Sequence, residues 1–346
     1  DDLDIGLAAP AEELLDLLRA GAVAVHRGGA GCLRPAAVAG PEYADVLGGL
    51  SGGQGAFHPA RGQPGQQAAQ LVAPGPAYAG WVQGYGQWST ADGNGNSASV
   101  DSSLGGFLAG GDVTVGATTF GLAGGYVSAS SDVDARLSSV DADTALIAAY
   151  AGTSLDAWRL RAGASYGWTS VDSHRTASLL GITEMPRASY DGSTANLFLE
   201  AAYAVEMNSV ALEPFAQIAW SWVNTDSFSE TGAPATGLSS QGLSFDTPYS
   251  TLGLRLATSL ALGGGTLNPH ASLAWRHAFD GVTPEMAMAF SATGAGFTVA
   301  GTPIAEDSLV VGAGLDVGIS TGLSLNISYE GQFADETEYN AVKGGL

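Results

Sequence analysis

The sequence predicts an all-β protein: a twelve-stranded antiparallel transmembrane β-barrel behind an N-terminal linker/short helix segment. Three observations predict it. The first is long period-two alternation. Leu252, Leu254, Leu256, Thr258 and Leu260 alternate with Gly253, Arg255, Ala257 and Ser259. After Gly263-Gly264-Gly265, Leu267, Pro269, Ala271, Leu273 and Trp275 alternate with Asn268, His270, Ser272, Ala274 and Arg276. A second hairpin, Leu309 to Ile319 and Leu323 to Phe333, repeats the pattern. Alternation over ten residues exceeds the usual strand of about five or six and matches the 9–11 residues of a membrane-crossing strand. The second observation is the lack of any run of twenty apolar residues. A membrane-spanning reading therefore requires a closed barrel, because backbone groups in hydrocarbon must pair within the protein. The third is that short and long connections alternate, as in outer-membrane barrels.

The elements follow in order. Residues 1–78 differ in texture from the rest. Pro10 opens a helical pattern to about His26, with Leu14, Leu15, Leu17 and Leu18 on one face. From Gly28 to Pro76 the chain is rich in Gly, Pro, Ala and Gln, and Pro59, Pro64 and Pro74 interrupt any long helix. A short helix is expected at Gln66 to Leu71, and no continuous helix over Gly52 to Pro76. The barrel is expected over 79–346, with strands near 80–90, 103–115, 118–131, 141–154, 157–172, 191–207, 209–225, 248–262, 265–280, 306–319, 322–335 and 339–346. Short turns fall near Gly116, Leu155-Asp156, Asn208-Ser209, Gly263–Gly265 and Thr321. Long polar loops fall at 173–190, 226–247 and 281–305. Met286 to Ala300 is read as loop with local β-structure, because another wall strand there would break the alternation of turns.

Aromatic spacing gives a separate check. Trp158 and Trp168 share a face ten positions apart, roughly 33 Å along a strand. A tilt of about 40° reduces this to about 25 Å, the height of the apolar band between two aromatic girdles. Trp220, Trp222, Trp275 and Phe279 extend the outer girdle, and Tyr329 and Phe333 share the same alternation. The competing reading makes these Trp residues the core of a soluble sandwich.

Arg159, Arg161, Glu200, Glu213, Arg255, Arg276, Asp316 and Glu330 fall mid-strand on the non-aromatic face. An Arg facing lipid at the midplane would cost about 2–4 kcal/mol, so the lumen is their expected side. There they either pair among themselves and stabilise the wall, or form a belt that contacts a segment threaded through the pore.

Composition narrows the function. The formal net charge is −22, with only twelve Lys and Arg, which disfavours nucleic-acid binding. Cys32 is the only cysteine. The five His lack metal-ligand spacing, and neither cofactor nor metal is expected. Gly318-Ile-Ser-Thr-Gly322 matches a nucleophile elbow, but it lies between two strands and reads as a hairpin turn. Asp92-Gly-Asn-Gly-Asn96 starts like a calcium loop but lacks its Gly and Glu, and reads as an outer loop. No catalytic residue, and no enzyme, is expected in this chain.

The region from Ala79 to Leu346 resembles the autotransporter translocator domain of type V secretion. Trp81-Val-Gln-Gly-Tyr-Gly-Gln-Trp88 resembles its opening strand, and Gly105-Gly106-Phe107 with Gly111-Asp112 its second. Gly124-Gly125-Tyr126, Ala148-Ala149-Tyr150, Glu213-Pro214-Phe215-Ala216 and Ala274-Trp275-Arg276-His277 resemble later blocks. So do Phe297 to Ala305, Gly331-Gln332-Phe333 and Ala341-Val342-Lys343-Gly344. The resemblance implies a twelve-stranded barrel in the bacterial outer membrane. It also implies insertion by the barrel-assembly machinery and export of an N-terminal passenger. A monomer held by outer-membrane lipid is expected. A start at Asp1-Asp2 and an end at Gly345-Leu346 are expected of a piece of a longer precursor. A last strand this short is expected to pair with only part of the first. The alternatives are a stand-alone channel or adhesin-type barrel, and a hydrolase whose upstream passenger carries the catalytic Ser. The sequence upstream of Asp1 discriminates between them.

Overall fold

The computed structural model describes residues 77–91, 100–133, 137–179, 181–207, 210–262, 265–279, 285–300, 305–320, 323–334 and 337–346. The expected N-terminal helices, residues 1–76 of the linker expected over 1–78 and the Asp92 to Asn96 loop lie outside the described residues, while Ala77 and Tyr78, expected in that linker, already pair as strand.

Twelve strands form the wall. They are β1 (Ala77–Ala91), β2 (Val100–Val115), β3 (Thr118–Val133), β4 (Ser138–Leu155), β5 (Trp158–His174) and β6 (Arg187–Tyr203). They continue as β7 (Val210–Thr225), β8 (Leu243–Thr258), β9 (Gly265–Ala278), β10 (Asp307–Ser320), β11 (Leu323–Phe333) and β12 (Thr337–Gly345). Each pairs antiparallel with the next. The β1–β12 ladder closes the ring. Val205–Met207 and Leu260–Leu262 continue β6 and β8 into the short turns. Turn residues that need a left-handed backbone sit where expected: Gly116 has φ 65° between β2 and β3, and Asp156 has φ 54° between β4 and β5.

Closure is partial along β1. β12 pairs from Gln83 to Ala91, and Val82 and Leu346 exchange two backbone hydrogen bonds of 3.1 and 3.0 Å. Among the described residues, Ala77–Trp81 pairs with β2 alone. This agrees with the expectation drawn from the short last strand.

Alternation sets the faces. Along β4, Val140, Ala142, Thr144, Leu146, Ala148 and Tyr150 are buried, while Asp141, Asp143, Ala145, Ile147 and Ala149 are exposed. Leu254, Leu273 and Ile327 are exposed, whereas Arg255, Arg276 and Asp316 are buried. Among the described residues, forty large apolar side chains are exposed, which would be an aggregation liability in water. As the wall of a barrel in lipid, they need no covering.

Long loops gather at one rim and short turns at the other. At the long-loop rim, Phe228–Ser229, Leu238–Ser240, Glu285–Phe290 and Gly296–Ala300 form a separate four-stranded sheet. Met286 to Ala300 is thus a hairpin outside the wall, as its reading as a loop with local β-structure required. The sheet buries Leu238, Met286 and Met288 in one cluster with Val171, Tyr190, Val223 and Tyr249 of the wall. Tyr190 stacks on Phe228 at 4.6 Å. Polar clamps fix it. Arg175 reaches Glu230 through two bonds of 2.8 and 2.7 Å and donates to the Thr236 carbonyl at 2.8 Å. Glu230 Oε2 accepts the Leu238 amide at 2.7 Å. Glu184 accepts the Thr236 hydroxyl at 2.7 Å and its amide at 2.8 Å.

The Thr236 hydroxyl, then the Thr236 and Ala235 amides and the Arg175 charge, hold the Glu184 carboxyl below the ordinary carboxylate range against some desolvation. A depressed pKa gives stability that is full above the unfolded value and is lost as pH falls through the folded one. Pepsin cleavage within 230–240 should therefore rise only below the usual carboxylate range. In Glu184→Ala it should already be high above that range; equal acid sensitivity of the two proteins would contradict the assignment.

Candidate functional site: the charged wall of the lumen

Four of the eight charges singled out in the sequence meet on adjacent strands. Arg161 on β5 faces Glu200 on β6 directly across the ladder, and Glu213 on β7 faces Arg255 on β8. Arg161 Nη1 donates to Glu200 Oε1 at 2.5 Å and to Glu213 Oε1 at 3.2 Å. Arg255 donates to Glu200 Oε1 and Oε2 at 2.9 and 2.7 Å and to Glu213 Oε1 at 2.9 Å. Gln217, opposite Glu200, adds a bond of 3.2 Å. Every member is buried. Two guanidinium groups meet two carboxylates, so the patch is neutral, and each carboxylate serves both cations. Arg255 also lies over the Phe215 ring, 3.6 Å from its centroid. Gly253, across from Phe215, makes room for that ring, since a Cβ there would meet it.

The other four charges lie outside this patch. Arg276 donates to Gln332 at 3.0 Å and to Thr251 at 3.3 Å. Asp316 lies 3.8 Å from His270, and Glu330 lies 3.6 Å from Lys343. Arg159, at the short-turn rim, donates to the carbonyls of Asp156 and Trp158 at 2.6 and 3.2 Å. Sequence reasoning missed a second buried polar chain. Trp81 Nε1 donates to Tyr150 at 2.9 Å, and Tyr150 donates to Asp112 at 3.1 Å. Alternation places these three on the buried face of β1, β4 and β2, but nothing local signals that they meet.

The aromatic residues take the outer face. Trp158, Trp168, Trp220, Trp275, Phe279, Tyr329 and Phe333 are exposed, and Trp222 is half-buried. Trp158 packs edge-on to Tyr203 at the short-turn rim, 5.2 Å between centroids. Trp220 stacks on Trp222 at 5.6 Å. The indole N–H groups of Trp220 and Trp275 bond Asp246 and Asp307 at 2.9 and 2.8 Å.

Comparison with known proteins fits this geometry. The chain is similar in structure to the translocator domain of autotransporter NalP from Neisseria meningitidis. There the TM-score is 0.64 at 17% identity, covering 78% of this chain and 87% of that one. The β-domain of the Bordetella autotransporter BrkA gives 0.58 at 19%, covering 78% and 98%. In sequence, the chain is 30% identical over 267 residues to an extracellular serine protease of Serratia marcescens, covering 77% of this chain and 25% of that one. It thus spans about a quarter of the length of the curated relatives it matches. The profile of the autotransporter β-domain matches residues 80–330, nearly the whole closed wall, and the chain belongs to that family.

Proposed function

We propose that this barrel anchors an N-terminal passenger in the bacterial outer membrane and exports it as the translocator of a type V secretion system. The observation that carries the reading is a closed twelve-strand wall with an apolar outside and a charge-balanced inside. Autotransporter β-barrel domains reside in the bacterial outer membrane, and the exposed girdle residues suit both membrane interfaces. The lumen-facing belt of Arg159, Arg161, Glu200, Glu213, Arg255, Arg276, Asp316 and Glu330 offers a polar path. Its internal pairing leaves little net charge to trap a passing chain. In this reading, residues 1–76 join passenger to barrel, the assembly machinery inserts it, and it works as a monomer. Export itself asks no chemistry of the barrel.

The test is a reporter fused before residue 1, behind a secretory leader. The reporter should become accessible to external protease in intact cells whenever the barrel shows a heat-modifiable gel shift. A folded, inserted barrel that leaves the reporter in the periplasm would favour the channel reading instead.

A further inference from the structure

Three polar residues distant in sequence line up in one row on the outward face of three neighbouring strands. Ser250 on β8 stands directly across from His277 on β9, and His277 directly across from Asp307 on β10. Their chain neighbours Thr251, Arg276 and Ser308 are buried, so all three point outward. His277 Nδ1 lies 2.9 Å from Asp307 Oδ1. An ionised carboxylate only accepts, so Nδ1 carries the hydrogen, and in the neutral imidazole the Nε2 lone pair is then available to another partner. The same Asp307 oxygen accepts the Trp275 indole at 2.8 Å, which fixes the carboxylate. The imidazole is held between Trp275 and Phe279, at 5.6 and 4.8 Å between ring centroids. Strands lie about 4.7–4.9 Å apart. The carboxylate is in contact with the base, while the hydroxyl stands one strand away on the other side and shares no hydrogen bond with it in this structure. The nucleophile–base bond of an unliganded site often tightens only with substrate in place.

A separate feature ends at the same residue, Ser250. An apolar groove of about 560 Å³ crosses the outward face from Thr118 on β3 to Ser250 and Leu252 on β8. Small residues, including Ala201 and Ala216, floor it between Leu199, Ile218 and Leu252. Ile218 is cross-strand from Ser250, and Ala216 from Leu252. Five strand spacings make the groove about 24 Å long, narrow and extended like a lipid acyl chain. That occupant follows from the placement of this wall in lipid, on which the inference rests.

We propose that Ser250, His277 and Asp307 form a nucleophilic triad on the lipid-facing wall, acting on the ester of an acyl chain that lies in the groove. Ser250 Oγ passes its proton to His277 Nε2 and bonds to the ester carbonyl carbon. The bond from that carbon to the alcohol oxygen breaks, and His277 returns the proton to the leaving alcohol. Water then adds to the acyl-serine, releasing the fatty acid and restoring Ser250. Asp307 is a positioning residue that fixes the tautomer. The developing oxyanion is left to interfacial solvent, and the lack of one positioned donor lowers a rate by roughly 10²–10³. Covalent capture is therefore the sensitive readout.

The experiment treats the folded full chain, in detergent, with a long-chain alkyl fluorophosphonate and with its ethyl analogue. Peptide mass spectrometry should place the adduct on Ser250. Ser250→Ala should abolish it, and His277→Gln should slow it by about a hundredfold, each with an unchanged heat-modified gel shift. Asp307→Asn should slow it without moving the shift. Ala216→Trp, which fills the groove, should slow the long-chain probe and spare the ethyl one. No adduct at Ser250, or labelling as fast in His277→Gln as in the parent, would overturn the assignment. So would equal labelling of Ala216→Trp by both probes at the parent rates.

Discussion

Glu200→Ala should sharply weaken the barrel, although its side chain is almost wholly buried. Glu200 accepts from Arg161, from Arg255 twice and from Gln217. Removing it leaves two buried guanidinium groups sharing Glu213 alone, a net positive charge with no water to solvate it. Breaking one partner out of such a network costs about 3–5 kcal/mol. The temperature of the heat-modified shift should fall by roughly 10 °C. The cross-strand pair should be removable as a unit. Arg161→Met with Glu200→Met leaves the direct Glu213–Arg255 pair in place and keeps the patch neutral. This double variant should recover most of the loss, so the cycle should be strongly non-additive. A double variant as weak as the sum of its single variants would refute the network. The same proteins separate the two roles weighed for the belt. If the charges also touch the passing chain, the double variant should alter reporter export at nearly unchanged heat resistance.

What was legible in the sequence and what was not divides along a physical line. Period-two alternation reports faces, because successive side chains point to opposite sides of a strand. It therefore located nearly every wall strand to within a few residues. β8 begins at Leu243 rather than 248, because Gly242 and Pro248 flank a stretch that reads as loop although Leu243, Phe245 and Thr247 already alternate. β6 begins at Arg187 rather than 191 for a similar reason, since Pro186 masks its start. Partners are another matter. Which Glu meets Arg161 depends on the offset between strands, and loops of unknown shape such as 175–186 do not transmit that offset. The Trp81–Tyr150–Asp112 chain spans β1, β4 and β2, and the Ser250–His277–Asp307 row spans β8, β9 and β10. Both are products of register, invisible until the ladder is known.

Gly121→Ala should be a severely damaging substitution for the replacement of a single hydrogen atom in the wall. Gly121 on β3 lies directly across from Tyr150 on β4, and the phenol ring lies over it. A Cβ added there would fall inside the ring, and the nearest atoms belong to a rigid aromatic rather than to a flexible side-chain end. The ring must swing away, and two consequences follow. Trp81 Nε1 and Asp112 both lose their bonds to Tyr150, and each buried group left unsatisfied costs about 1–3 kcal/mol. Tyr150 also leaves its place in the apolar cluster beside Trp81, Leu146 and Ala148. The expected total is about 3–5 kcal/mol, in the range of severe core lesions, and it should be read as lower heat resistance and slower assembly. Tyr150→Ala in the same chain removes the clash, but not the lost bonds. Adding it to Gly121→Ala should therefore cost much less than adding it to the parent. If Tyr150→Ala costs the same in both backgrounds, the ring does not rest on Gly121, and the close approach is not what selects glycine there.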